Sequence, residues 1–131
     1  MTEFMWDHVH LRSPDVRATA AWFQDKLSAS VFEGTAIGPA RADLMLGGVR
    51  VLVTPVTAGD GTNPAPVTPY QGLDHFGLAV RDIDKVAAEL KAKGVDFTRD
   101  PVTPRAGLRI CFIRGPQGIS IELLERDAKY V

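Results

Sequence analysis

A stretch beginning at His8, HVHLRSPDVRATAAWFQDKL, returns 67 residues later as HFGLAVRDIDKVAAELKAKG, beginning at His75. In that register His8 matches His75, Leu11 matches Leu78 and Asp15 matches Asp82. Ala20, Ala21 and Lys26 meet Ala87, Ala88 and Lys93, and Val16 meets Ile83. Six identities in one register are the mark of a duplicated unit. Each copy, at roughly 60 residues, is too small to bury an apolar face alone, so the copies are expected to pack on each other or on another chain.

Both copies read as a strand, a helix and then three strands. Asp15 and Asp82 stand where helix N-caps belong. Val16, Ala20, Phe23 and Leu27 follow helical spacing after the first, and Ile83, Val86, Ala87 and Leu90 after the second. Gly94 suits the end of the second helix. Alternating or β-rich runs predict strands at 5–12, 30–36, 41–46 and 49–55 in copy one. In copy two they fall at 73–81, 95–99, 108–114 and 119–125. Three prolines and two glycines between Val56 and Tyr70 read as a linker. The expected organisation is one α+β domain of two βαβββ modules, 1–55 and 71–131, joined by a linker at 56–70.

Composition narrows the function classes. Of 131 residues, 45% are hydrophobic and 24% charged, which excludes a disordered chain, a coiled coil and a collagen-like fibre. The formal charge of -1 gives no electrostatic reason to bind nucleic acid. Cys111 is the one cysteine and has no internal disulfide partner. No apolar run reaches membrane-span length, and the acidic start lacks a signal-peptide core. The expectation is a cytoplasmic protein without a membrane or nucleic-acid partner.

Strand alternation sorts the side chains by face. Val9 and Leu11 should face the helix, leaving Trp6, His8, His10 and Arg12 on the opposite face. In copy two Phe76, Leu78 and Val80 face the helix, leaving His75, Gly77 and Ala79 opposite. The apolar sets Ile119, Ile121, Leu123 and Val49, Val51, Val53 leave Glu122 and Arg50 on that same non-helix side. Two histidines at one repeat position and a carboxylate from a closing strand suit a catalytic divalent metal. The plainer alternatives are surface or satisfied core histidines and a solvent-facing strand glutamate. Arg50 fits either an anion-binding role or an exposed strand residue. Arg105 and Arg109 flank Ala106-Gly107 in a segment that reads as a closing loop or a solvated turn. Cys111 reads as a buried apolar residue, and Trp22 as packing beside Phe23 or an interface.

The segments DHVHLRSPD (7–15), LDHFGLAVRD (73–82) and FIRGPQGISIELLER (112–126) together resemble the vicinal oxygen chelate superfamily. That group includes glyoxalase I, bleomycin- and fosfomycin-resistance proteins, methylmalonyl-CoA epimerase and extradiol dioxygenases. The resemblance covers nearly the whole chain. It implies paired βαβββ modules forming an open cup of mixed sheet around a metal. It places metal ligands at His8, His75 and Glu122. Aligning GVRVL (48–52) with GISIE (118–122) puts Leu52 where glyoxalase I has a second carboxylate and the epimerase an amide. Leu52 can neither ligate nor act as a base, and the remaining two-His-one-Glu set is that of extradiol dioxygenases and metal-dependent fosfomycin-resistance enzymes. The dioxygenases place a tyrosine near where Phe112 stands and use an additional histidine, for which His10 is the spare residue. The fosfomycin-type pattern also includes a cation-binding loop that has no convincing match here.

Three functions follow from this resemblance. The first is a metal-dependent lyase or isomerase of glyoxalase-like type, chelating neighbouring oxygens of a small substrate, with Glu122 or His10 as base. The second is a small Fe(II) ring-cleaving dioxygenase. The third is a metal-free ligand-binding protein like the bleomycin-resistance members, with Trp6, Trp22 and Phe112 as aromatic surface. The ligand set leans toward Fe2+, Mn2+, Ni2+ or Co2+, with Zn2+ also compatible. Arg50, Arg109 and Phe112 are the expected substrate-binding residues. A homodimer is expected, with sites built within one chain or from modules of two.

Overall fold

The structure, a computed structural model, describes residues 2–127. Two units of like topology succeed one another along the chain, one running to Pro64 and the other from Ala65. The first holds β1 (His8–Ser13), α1 (Val16–Leu27), β2 (Ser30–Val31), β3 (Ala42–Leu46) and β4 (Val49–Pro55). The second holds β5 (Phe76–Ala79), α2 (Ile83–Ala92), β6 (Phe97–Arg105), β7 (Leu108–Arg114), a short 3-10 turn (Pro116–Gly118) and β8 (Ser120–Arg126). Each unit builds one four-stranded mixed sheet, in the orders β1-β4-β3-β2 and β5-β8-β7-β6. In both, the first strand runs parallel to the last, and the remaining pairs are antiparallel.

Helix packing follows the repeat. Asp15 caps α1, its Oδ1 accepting from the Ala18 amide at 3.0 Å. Val16, Ala20 and Phe23 are buried against Ala42, Leu44, Val51 and Val53 in the apolar layer of the first unit. Ile83, Ala87 and Leu90 make the matching layer in the second, with Cys111, Ile113, Ile121 and Leu123. A fully buried side chain of this size contributes about 1.5–3 kcal/mol. These layers fix which strand faces remain for chemistry.

Several boundaries differ from the sequence expectation for physical reasons. Residues 5–7 precede β1 because its partner β4 begins at Val49, so pairing starts at His8 opposite Arg50. Trp6 is 84% exposed there. The second strand ends at Val31, where the Phe32 carbonyl accepts from Thr35 and Gly34 takes φ 80°. Conversely, β6 runs to Arg105, through Pro101 and Pro104. It is an edge strand whose register against β7 shifts three times, which lets residues without an N–H be accommodated. Ala106 and Gly107 are therefore the connection of a hairpin, with Gly107 at φ 83°.

Asp82 is a second correction. It occupies the N-cap position of α2 with a left-handed backbone (φ 54°) and makes no side-chain capping bond. Its amide instead donates to Glu125 Oε2 at 2.6 Å, so β8 fixes the start of this helix. At the far end Lys93 is the cap residue and Gly94 follows it with φ 78°, which a glycine takes without steric cost.

Candidate functional site

In the second unit, the face of the sheet away from α2 carries His75, Gly77, Phe112 and Glu122. His75 lies immediately before β5. Its Nε2 stands 3.0 Å from Glu122 Oε2 and its Nδ1 stands 2.8 Å from Asp74 Oδ2. An imidazolium donates through both nitrogens, so this setting favours the charged form. The His75 pKa is accordingly raised above 6.5, first by Asp74 and then by Glu122, against the opposing effect of burial. The Phe112 ring stands edge-on to the imidazole, with centroids 5.1 Å apart, and Phe112 is the register partner of Glu122. On the other side Glu122 is paired with Gly77. A Cβ at Gly77 would lie 3.1 Å from Leu124 Cδ2 and 3.8 Å from Glu122 Oε2. Glycine thus keeps the space beside the carboxylate clear.

The first unit presents a related but unequal set. His8 donates from Nδ1 to Asp7 Oδ1 at 2.6 Å. Asp7 and Asp74 occupy the same position, one residue ahead of each repeated histidine. His10 is on the same strand face, with Nε2 2.6 Å from Thr54 Oγ1. Burial lowers its pKa below 6.5, helped by Arg12, His8 and Arg41, so the neutral, basic form is favoured. Leu52 is the register partner of His10, as Glu122 is of Gly77. The strand register therefore reproduces the alignment of Leu52 with Glu122.

Arg50 does stand on the histidine-bearing face, opposite His8. Its guanidinium is held by the buried carboxylate of Asp43 at 2.5 Å and lies 3.9 Å above the Phe32 ring. Among the described residues its buried Nε has no partner. Asp43 also accepts from Arg41 Nε at 2.6 Å, and these arginines hold its carboxyl below 3.8 against the effect of burial. Asp43 was not expected from the sequence. The alternation of Ala42, Leu44 and Leu46 into the core was the signal that put it on Arg50's face.

The structure places Arg109, an expected substrate contact, away from the His75–Glu122 pair. Alternation along β7 places it with Cys111 and Ile113 on the α2 side, opposite to Phe112. There it donates to both oxygens of Asp84 in the first turn of α2, at 2.8 and 2.9 Å, and to Thr103 Oγ1. Cys111 is buried beside it, and burial pushes the thiol up to about 11, so it remains protonated. Trp22 stacks edge-on against Phe23, with centroids 5.1 Å apart.

The donor chemistry of His75 and Glu122 fits a divalent metal. Metal–nitrogen and metal–oxygen bonds of about 2.1 Å meeting at a right angle separate the two donor atoms by about 3.0 Å. Nε2 and Oε2 already stand at 3.0 Å. Among the described residues neither unit by itself gathers three His, Cys, Asp or Glu side chains into a ligand group. The second unit brings together two of the three expected ligands, and His8 belongs to the first.

The family model of the Glyoxalase/Bleomycin resistance protein/Dioxygenase superfamily matches residues 6–123. The chain belongs to this superfamily. Its fold agrees with solved structures of glyoxalase-superfamily proteins. The genomically encoded fosfomycin resistance protein FosX from Listeria monocytogenes superposes with TM-score 0.74 at 17% identity, over 98% of each chain. A glyoxalase family protein from Enterococcus faecalis superposes with TM-score 0.72 at 24% identity, over 92% of this chain and 97% of that one. Among sequence relatives, a probable chloroplastic lactoylglutathione lyase of Arabidopsis thaliana is 45% identical over 56 residues. That match covers 42% of this chain and 16% of the plant protein, so this superfamily member spans a small part of that relative. The uncharacterized Bacillus subtilis protein YwkD is 26% identical over 125 residues, covering 91% of this chain and 94% of its own. Among the described residues, no helix is long and apolar enough to cross a membrane.

Proposed function

We propose that this superfamily member is a metal-dependent lyase or isomerase of glyoxalase-like type, with His8, His75 and Glu122 as the metal ligands. The observation that carries the reading is the His75–Glu122 pair, whose donor atoms stand at the separation of neighbouring ligands. The lyase name of the plant relative supports the reaction class. The substrate is a small molecule with two neighbouring oxygens. A divalent transition metal bound by these side chains supplies Lewis acidity toward those oxygens. His8 is contributed by the same chain or by a partner in a homodimer. The protein acts in the cytoplasm, where the single thiol of Cys111 stays reduced.

The chain's own residues then divide the work. His10, favoured in its neutral form, accepts a proton from the substrate carbon at its unbonded nitrogen, while Thr54 fixes the ring. Glu122 serves as the alternative base. Phe112, edge-on to the His75 ring, shields that side of the His75–Glu122 pair from water, and Gly77 leaves room beside Glu122. Arg50, anchored by Asp43, supplies positive charge for an anionic part of the substrate.

One observation favours a second reading. Leu52 leaves two imidazoles and one carboxylate, the ligand set of non-haem Fe(II) oxygenases, so a ring-cleaving dioxygenase is the competing assignment. Elemental analysis of the purified chain beside a His8→Ala, His75→Ala double variant tests the shared premise. About one equivalent of transition metal, lost in the variant, is expected from the ligand count. Turnover of 2-oxoaldehyde–thiol adducts then supports the lyase. Oxygen uptake with a catechol by iron-loaded protein supports the dioxygenase. No metal after anaerobic loading with Fe2+, Mn2+, Ni2+ and Zn2+ overturns both and leaves a ligand-binding protein.

A further inference from the structure

Asp7 and Asp74 share a feature that the ligand assignment does not use. Each directly precedes a repeated histidine, and each carboxylate takes the same ring nitrogen, Nδ1, at 2.6 and 2.8 Å. The contact recurs although the surroundings differ. Asp7 is 89% exposed and Asp74 43%. On the other side of the ring, His75 Nε2 faces Glu122. The position matching Glu122 in the first unit is Leu52, which offers no hydrogen bond. The carboxylate on Nδ1 is thus the element common to both copies, while the carboxylate on Nε2 is present in one.

We propose that Asp7 and Asp74 are positioning residues for the metal centre, each holding a proton on Nδ1 so that the Nε2 lone pair of His8 and of His75 is the one presented to the metal. This rests on the ligand assignment above. The physical reason is that a neutral imidazole carries one proton, and the nitrogen that keeps it cannot ligate. An anionic acceptor on Nδ1 selects the tautomer, fixes the ring plane and makes Nε2 more basic. Asp74, the less exposed of the two, exerts the stronger hold because water competes less for its carboxylate.

The test uses the full chain labelled with 15N in its histidines, as wild type, Asp7→Ala, Asp74→Ala and Asp74→Glu. Two-bond proton–nitrogen spectra are recorded with and without Zn2+, and Zn2+ affinity is measured by competition with a chromophoric chelator. In the Zn2+-loaded wild type, Nε2 of His8 and His75 should carry the metal shift and Nδ1 its proton. Each alanine variant should bind Zn2+ about 10- to 100-fold more weakly, with Asp74→Ala the larger loss. Asp74→Glu should recover part of that loss, which a role in packing alone would not produce. Metal on Nδ1 of either histidine, or unchanged affinity in both folded alanine variants, overturns the proposal.

A wild type that binds no metal defeats the ligand assignment, and the metal-free spectra then decide the positioning claim separately. Among the described residues Asp7 is the carboxylate bonded to His8, so the neutral His8 ring should carry the proton on Nδ1 in the wild type and shift it toward Nε2 in Asp7→Ala. A proton on Nε2 in the wild type, or no shift in the variant, overturns the claim.

Discussion

Leu52 stands opposite His10 across the parallel β1–β4 pair, at the register that Glu122 and Gly77 occupy in β8 and β5. The two sheets thus exchange roles at one position. One pairs an imidazole with an alkyl chain, and the other pairs a glycine with a carboxylate. That asymmetry makes Leu52 the sharpest place to probe the site.

On the proposed ligand assignment, Leu52→Glu is expected to add an oxygen donor at the fourth-ligand position that the superfamily resemblance implies. Metal affinity should rise at least about tenfold, which corresponds to about 1.4 kcal/mol. Competition titration beside circular dichroism reads the outcome. A folded variant with unchanged affinity would mean that this register position does not face the metal.

On the proposed ligand assignment, the proton on His75 competes with the metal. Because Asp74 and Glu122 raise its pKa, metal affinity should fall as pH drops through that raised value. The metal-free protein should behave in the opposite sense. Stability from the charged imidazole is fully present below 6.5, the ordinary histidine value, and is lost as pH rises through the raised folded value. Thermal melts of metal-free wild type and His75→Gln across this range check the point, since the difference between the two proteins should shrink as pH rises through the raised value.

Asp43 predicts an acid-side effect. Its carboxyl is held below 3.8 by Arg41 and Arg50, so its stabilising contribution is present above that value. That contribution is lost as pH falls through the lowered folded value. Asp43→Asn should cost about 2 kcal/mol at neutral pH, since charge-assisted hydrogen bonds to partly exposed arginines are lost. It should also flatten the acid limb of urea denaturation. Equal acid sensitivity in both proteins would contradict this.

The two faces of β7 should separate in mutants. Arg109→Ala removes the clasp on Asp84 and should lower the melting temperature while leaving metal affinity and kcat/KM within about twofold. Phe112→Ala removes the ring against His75 and should lower kcat/KM by about tenfold or more. A large catalytic loss in Arg109→Ala would restore that arginine to the site.

Repetition made most of this fold legible before any coordinates. The offset that aligns His8 with His75 also aligned the helices, and alternation put Glu122 and His75 on one face. Local identity misled where a distant residue intervened. Asp15 and Asp82 are the same residue at the same repeat position, but only Asp15 caps its helix, because Glu125 from β8 takes the Asp82 amide. Arg109 misled for a similar reason. Its place beside Ala106-Gly107 suggested a closing loop, while its alternation with Cys111 and Ile113 puts it on the helix side, against Asp84. Asp43 stayed hidden because a carboxylate inside ADLML has no visible partner until β3 and β4 bring Arg50 beside it.

The prolines of β6 have a consequence for how this protein survives at high concentration. A free sheet edge is a template onto which another chain can add a strand. At Pro101 and Pro104 that template has gaps, because neither residue offers an amide hydrogen. The three register shifts along β6 bend what remains of the ladder. A foreign strand laid along this border would find its hydrogen-bond partners missing or out of step, so this edge of the second sheet is protected against cross-β growth.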